Sequence, residues 1–311
     1  MSRITIGKVL RENLPPGVGR TLRLARWRAR RAYAGLRYGR TTLLKTPILF
    51  GNSFPKSGTH LLAQVLHAFP LIGPAVDRGM GPILTFVPQT GRKRTVQEIL
   101  GDIRSLRPGD LCFGHVIAEA EIVAYLDRQP AAHFFILRDP RDVVISHAFF
   151  LADKAVDHVH HEYYRRLASL DERIRASILG RPGWVDADHP NDDESSESDF
   201  PNIGARFQPY LEWLSQSNVL ALRFEDFILS RPQALTRLLD YAERRGFQTR
   251  VSREQACGIL SKAIDPKSSF TFRGGRVGDW QKHFTPEHKE LFKRCAGDLL
   301  IRLGYEKDDD W

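Results

Sequence analysis

Short, nearly all-apolar runs alternate along this chain with longer stretches in which apolar residues recur every three or four positions. The runs have the length of strands, and the recurring stretches have the period of amphipathic helices. Thr46–Phe54, with Ile48-Leu49-Phe50 at its centre, predicts a short buried strand running into a turn. From Thr59 to Phe69, the residues Leu61, Leu62, Val65, Leu66 and Phe69 share one helical face. Leu111-Cys112-Phe113 predicts a second strand, followed by a helix from about Ala118 to Asp127. Ala132–Leu137 is apolar almost throughout, the mark of a central parallel strand covered on both faces. Pro140 stands where a helix can begin, and that helix is expected to reach about Leu151. Val219–Leu222 is the fourth strand expected. Helices follow near Pro232–Arg245, Ser252–Ala263 and Pro286–Leu303, and Ser252 and Gln255 have the spacing of a capping box.

Strands alternating with helices imply an α/β fold with a central parallel sheet flanked by helices, in a single domain. Ligands of such folds bind beyond the carboxyl ends of the strands. A hydrophobic content of 42% in 311 residues supplies a sizeable core and excludes global disorder. Three cysteines, Cys112, Cys257 and Cys295, are too few and too scattered for a disulfide framework or a zinc site, so a reducing compartment is expected. No apolar run approaches the length of a membrane-spanning helix, and the N-terminus lacks a secretory pattern. The expectation is a cytoplasmic protein, soluble or peripheral.

Charge divides the chain. Residues 1–45 hold twelve Lys and Arg against one acid, Glu12, a net +11; the whole chain carries +9, so the remainder is about −2 by subtraction. The body is therefore not a basic protein, and nucleic acid is not an expected partner. Between Arg20 and Arg40, arginines are interleaved with Leu22, Leu24, Trp27, Tyr33, Leu36 and Tyr38. That composition suits a helix on an anionic membrane surface, and it equally suits a solvated or packed arm. Asp186–Asp199 has seven acids and no Lys or Arg and is expected to be a mobile surface insertion. The division that follows is a basic arm over 1–45 and one domain over 46–311, with insertions near 70–100 and 152–200.

Three segments carry anion-binding chemistry. Ser53-Phe54-Pro55-Lys56-Ser57-Gly58-Thr59-His60 joins the first strand to its helix, where helix-start N–H groups and the helix dipole favour a phosphate. The setting is P-loop-like without being a Walker A loop, because Lys56 precedes Gly58 by two residues instead of following the last glycine. Arg138 then leaves the buried strand, with Ser146 two helical turns on. Asp139 and Asp142 could equally pair with Arg138 and Arg141 as plain structure. Late in the chain, Phe272-Arg273-Gly274-Gly275-Arg276-Val277-Gly278-Asp279-Trp280 forms a backbone-rich basic loop suited to wrapping a phosphate.

In order and spacing these segments resemble the signature motifs of the sulfotransferases of cytosolic type that use 3′-phosphoadenosine 5′-phosphosulfate (PAPS). The resemblance covers about residues 46–305, and 70–110 and 152–200 carry none of its motifs. It implies that Lys56 contacts the bridging oxygen of the leaving phosphate, and that Ser57, Gly58 and Thr59 hold the 5′-phosphate. Arg138, Ser146 and Arg273 would bind the 3′-phosphate, with Gly274 and Gly275 offering backbone amides. Phe113 stands where a lysine is often found two residues before His115, and three further positions depart from the family pattern. His60 stands where many members stack a tryptophan on adenine, Gly274 where a lysine commonly follows the arginine, and Phe224 where a tyrosine is common near the adenine.

The resemblance also places the catalytic base at His115, in Phe113-Gly114-His115-Val116. An ordinary histidine pKa of about 6.5 suits proton abstraction near neutral pH. His158, His160 and His161 cluster after the second motif, where an acceptor-facing or surface loop is favoured over a metal site, since no Cys or spaced carboxylate completes a ligand set. The implied reaction is in-line displacement at sulfur onto a hydroxyl or amine of a small-molecule, lipid or carbohydrate acceptor, with PAPS as co-substrate and no metal required. Two rivals are an ATP-using P-loop kinase, disfavoured by the displaced lysine, and a non-catalytic nucleotide-binding membrane protein, disfavoured by intact Lys56, His115 and Arg138.

Overall fold

The computed structural model describes residues 16–181, 200–268 and 274–311. The acidic segment Asp186–Asp199 and Arg273 lie outside the described residues. An arm of two helices, α1 (Pro16–Tyr38) and α2 (Arg40–Lys45), leads into strand β1 (Ile48–Ser53) and helix α3 (Thr59–His67). A short helix α4 (Phe69–Ile72), strands β2 (Val76–Asp77) and β3 (Ile83–Leu84) and helix α5 (Val96–Arg104) come next. Then follow β4 (Asp110–His115), α6 (Ala120–Asp127), β5 (Ala131–Leu137), α7 (Pro140–Asp153), α8 (His161–Arg166) and α9 (Leu170–Leu179). The last elements are α10 (Ile203–Leu211), β6 (Val219–Arg223), α11 (Phe224–Leu229), α12 (Arg231–Arg244), α13 (Arg253–Ala263), α14 (Pro286–Ala296) and α15 (Leu299–Arg302).

The strands form one parallel sheet in the order β2-β4-β1-β5-β6, with β3 pairing the far end of β4. All seven residues of β5 are buried, and they alternate between two cores. Ala131, Phe135 and Leu137 face the layer of α5, α6, α7, α10 and α14, whereas Ala132, Phe134 and Ile136 face α3, α12 and α13. An apolar run without alternation is what burial on both faces requires. Truncating a fully buried ring such as Phe134 to alanine is expected to cost about 3–5 kcal/mol.

Several boundaries differ from the sequence reading. β4 extends through His115, so this histidine is the last residue of its strand and not the first beyond it. The helix expected over Pro286–Leu303 is two, because Gly297 adopts φ +54° and ends α14. β2, β3 and α5 lie within the motif-free region 70–110, and α8 and α9 within 152–200. The capping box at Ser252 and Gln255 forms as its spacing predicts, and a second one at Thr95 and Glu98 opens α5.

The arm packs against the edge of the sheet. Trp27 Nε1 donates to Asp110 Oδ1 at 2.9 Å, and Arg31 reaches the same oxygen at 3.1 Å. Arg78 lies 3.6 Å from the other carboxylate oxygen and covers the Trp27 ring, while Arg30 pairs with Asp77. Asp110, at the start of β4, is fully buried. The packed form of the arm therefore holds along this face, and Leu22, Leu24, Tyr33 and Leu36 remain exposed on the helix. Among the described residues no helix is long and apolar enough to cross a membrane.

Candidate functional site

At the carboxyl end of β1 the chain turns sharply. Lys56 adopts φ +69°, an uncommon conformation for a residue with a side chain, and Gly58 adopts φ +105°. A Cβ at Gly58 would come within 2.9 Å of the Phe224 ring, so glycine meets both a backbone and a packing demand. No side chain caps the start of α3, which leaves its first N–H groups for a ligand. Ser57 Oγ is buried without a hydrogen-bond partner. A buried hydroxyl left unsatisfied is costly, and a bound anion at this helix start would satisfy it. The Lys56 ammonium sits 3.7 Å from the centroid of the Phe150 ring.

Arg138 leaves β5 for the same cavity. Its Nη2 donates to Asp142 Oδ2 at 3.2 Å and to the Arg276 carbonyl at 2.8 Å, and its guanidinium lies 4.6 Å from the Phe224 ring centroid. Its Nε is buried without a partner. Asp142 also accepts the backbone N–H groups of Gly278 and Trp280, at 3.0 and 2.9 Å, and so ties the late glycine-rich loop to α7. Burial raises the Asp142 pKa, and the Arg138 charge opposes that shift. The purely structural alternative for this motif is realised by Arg141. That side chain is 3% exposed, pairs with Asp139 and Glu306, and stacks on Trp280 and Trp311.

His115 is held from two sides. Its Nδ1 lies 3.1 Å from both the carbonyl and the hydroxyl of Ser53. A carbonyl only accepts, so Nδ1 carries the proton and Nε2 keeps the lone pair. Burial pushes the His115 pKa down to about 4, opposed by the bond to Ser53, with the nearby His60 and Lys56 lowering it further. The Ser53 hydroxyl is also 2.6 Å from that of Thr59, which links His115 to the loop after β1. Beyond His115, buried Asn52 clasps Val116, accepting its N–H and donating to its carbonyl, both at 2.9 Å. Gly114 admits β3 here, since a Cβ on it would lie 2.1 Å from the Ile83 carbonyl oxygen.

These groups line one cavity of about 910 Å³. It brings together Lys56, Gly58, Thr59, His60, His115, Arg138, Ser146, Phe224, Gly274 and Gly275; Ser57 is buried behind the loop, and Arg273 is outside the described residues. The remaining walls are largely apolar, with Phe86, Phe150, Val159 and Tyr210 among them. They come from the β3 region, α7, the segment before α8 and α10, which include both motif-free insertions. His158 and His160 line the cavity, whereas His161 turns away, its Nδ1 2.6 Å from the Leu151 carbonyl. Among the described residues no group of His, Cys, Asp or Glu is arranged to hold a metal ion.

Asn52, Ser53 and Asp142 are positioning residues that the motifs did not single out for these roles. Asn52 and Ser53 end a strand and look like turn residues in sequence, and Asp142 looks like an ordinary partner of Arg138 at i,i+4. A buried polar residue at the last turn of an apolar strand is the signal that could have found the first two.

The sulfotransferase domain family matches residues 133–304, more than half the chain. Sulfotransferase 6B1 of Danio rerio is 21% identical over 278 residues, covering 82% of this chain and 80% of that protein. The mouse sulfotransferase SULT7A1, in a crystal structure with PAP, superposes with a TM-score of 0.55 at 16% identity, over 85% of this chain and 88% of that one. A retinol dehydratase crystallised with androsterone and the inactive cofactor PAP gives 0.52 at 13% identity, over 83% of each chain.

Proposed function

The chain belongs to the sulfotransferase domain family, and on that premise we propose that it moves a sulfuryl group from PAPS to a hydroxyl or amine by in-line displacement. One observation carries this reading. A single cavity holds two separate anion seats, the uncapped helix start beside unsatisfied Ser57 and the Arg138 guanidinium with its unsatisfied Nε. A nucleotide bearing phosphate at both its 5′ and 3′ positions matches two seats, whereas ATP places all its phosphates on one. PAP in the related crystal structures supports the same assignment.

The roles proposed are those that the resemblance implies. Ser57, Gly58 and Thr59 hold the 5′-phosphate, and Arg138, Ser146, Arg273, Gly274 and Gly275 hold the 3′-phosphate. His60 and Phe224 flank the adenine. His115 Nε2 takes the acceptor proton as the acceptor oxygen or nitrogen bonds to sulfur. Lys56 faces the phosphate oxygen that leaves with the sulfur–oxygen electron pair. This is catalysis by positioning and electrostatics, and no step calls on a metal. The apolar walls suit a small molecule or lipid with a hydrophobic body. The exposed residues of α1, among them Leu22, Leu24 and Leu36 with Arg20, Arg23, Arg26 and Arg37, suit an anionic bilayer.

Calorimetry with PAP and adenosine 5′-phosphate tests the two-seat reading. PAP should bind much more tightly, and Arg138→Ala should remove about 2–5 kcal/mol from PAP alone. Equal affinity for the two nucleotides in the unaltered protein would reject the 3′-phosphate seat.

A further inference from the structure

The charged side chains lining the cavity are strongly unbalanced. Among the described residues, Lys56, Lys93, Arg138, Arg206, Arg231 and Arg276 are cationic, and Asp279 alone is acidic. Most of this charge sits where a nucleotide would bind, and Lys93 is paired with Glu119 at 2.8 Å. Arg206 is different. It stands on α10, outside the nucleotide motifs in sequence, with no carboxylate partner among the described residues. One of its Nη atoms donates to the Ser177 carbonyl, its guanidinium lies 4.1 Å from the Phe200 ring centroid, and its Nε is buried with no partner. Burial pushes its pKa down to about 10, so it remains a cation at neutral pH.

Among the described residues, the groups around Arg206 supply no negative charge. His147 stacks on Phe200 at 5.1 Å and His160 meets the same ring at 4.8 Å. Burial first, and then neighbouring cations, hold the His160 pKa near 3 and that of His147 well below the ordinary value. The charges acting on His147 are Arg206, His158, Lys56 and His160, all cationic when charged. Both imidazoles are therefore neutral, and among the described residues no carboxylate offsets the Arg206 guanidinium at the end of the cavity toward α10. His158 Nδ1 accepts the His160 N–H at 3.2 Å, which leaves its Nε2–H as a donor at the cavity wall.

We infer that the acceptor is an amphiphilic organic monoanion, a hydroxy- or amino-substituted carboxylate with an apolar body, whose carboxylate is received by Arg206. One cation with neutral imidazole donors matches a single negative charge better than a dianion. A carboxylate there supplies the acceptor that Arg206 Nε lacks, while the apolar walls cover the body between it and the group facing His115. This inference rests on the sulfotransferase reading, because it treats that part of the cavity as the acceptor site.

The test uses the protein saturated with PAP and three calorimetric titrants: a medium-chain ω-hydroxy fatty acid, its methyl ester and the corresponding diol. The acid is expected to bind at least about tenfold more tightly than the ester or the diol. Arg206→Gln should bring the acid down to the affinity of the ester while PAP binding persists. Equal binding of acid and ester by the unaltered protein overturns the inference, a comparison that stands even if the variant does not fold. So does the absence of binding by all three, since the apolar walls accept any such chain. Failure of PAP itself to bind would instead strike the nucleotide reading beneath it.

Discussion

His115 shows how a strand end tunes a single side chain. The Ser53 carbonyl sets its tautomer, and burial lowers its pKa to about 4. A depressed pKa means that the proton is lost at lower pH, so the base form persists well into the acid range. The acid limb of kcat/KM for the nucleotide, which reports the free enzyme, is expected below pH 5. A limb near 6.5, measured while circular dichroism shows the fold intact, would contradict the enclosed environment. His115→Ala should lower kcat by about 10²–10⁴-fold with weakly acidic phenols and by less with acidic ones, which need less help to deprotonate. Near-unchanged turnover with weakly acidic acceptors would move the base elsewhere, with His158 and His160 as the next candidates on the cavity wall.

Among the elements, α7 ties Arg138 at the end of β5 to the late glycine-rich loop. Its Asp142 accepts from Arg138 and from the backbone of Gly278 and Trp280 at once. Asp142→Asn keeps the shape but loses the charge, and one of its two terminal atoms becomes a donor facing N–H groups. The late loop should loosen, and PAP affinity should fall by roughly tenfold, the worth of a charge-assisted hydrogen bond. Unchanged PAP binding in that variant would show that the loop finds its position without α7. The strands and helices that carry motifs were legible because burial on both faces leaves an apolar run, as in β5, and one-sided burial leaves a period, as in α3. β2 and β3 were not, because a two-residue strand leaves no period to read. The resemblance singled out Lys56, His115 and Arg138, and the structure brings all three to one cavity. It assigned no role to Asn52 or Ser53, whose contacts span 62 residues or more, or to Arg206, whose buried Nε lacks a partner.

At the scale of the molecule, the basic arm and the sheet meet at Asp110. Burial raises the pKa of this carboxyl, opposed by Trp27, the Arg107 N–H, Arg31 and Arg78. Removing it strands two largely buried cations, so Asp110→Ala should cost about 3 kcal/mol in denaturant unfolding and release the arm to proteolysis. Unaltered stability would mean that the arm is held by its apolar contacts at Ala34 and Leu43 alone. Co-sedimentation with anionic vesicles addresses the exposed residues of the same helix, and binding that survives deletion of residues 1–45 would remove the arm from that role. Sulfuryl transfer in the cavity is tested by following label from sulfur-labelled PAPS to a panel of hydroxyl and amine acceptors, with the unaltered protein and with Lys56→Ala. The expected result is label in an acceptor with one PAP released per transfer, and loss of that transfer in the variant. Tight PAP binding with no transfer to any acceptor, or phosphate transfer from ATP in its place, would contradict the account.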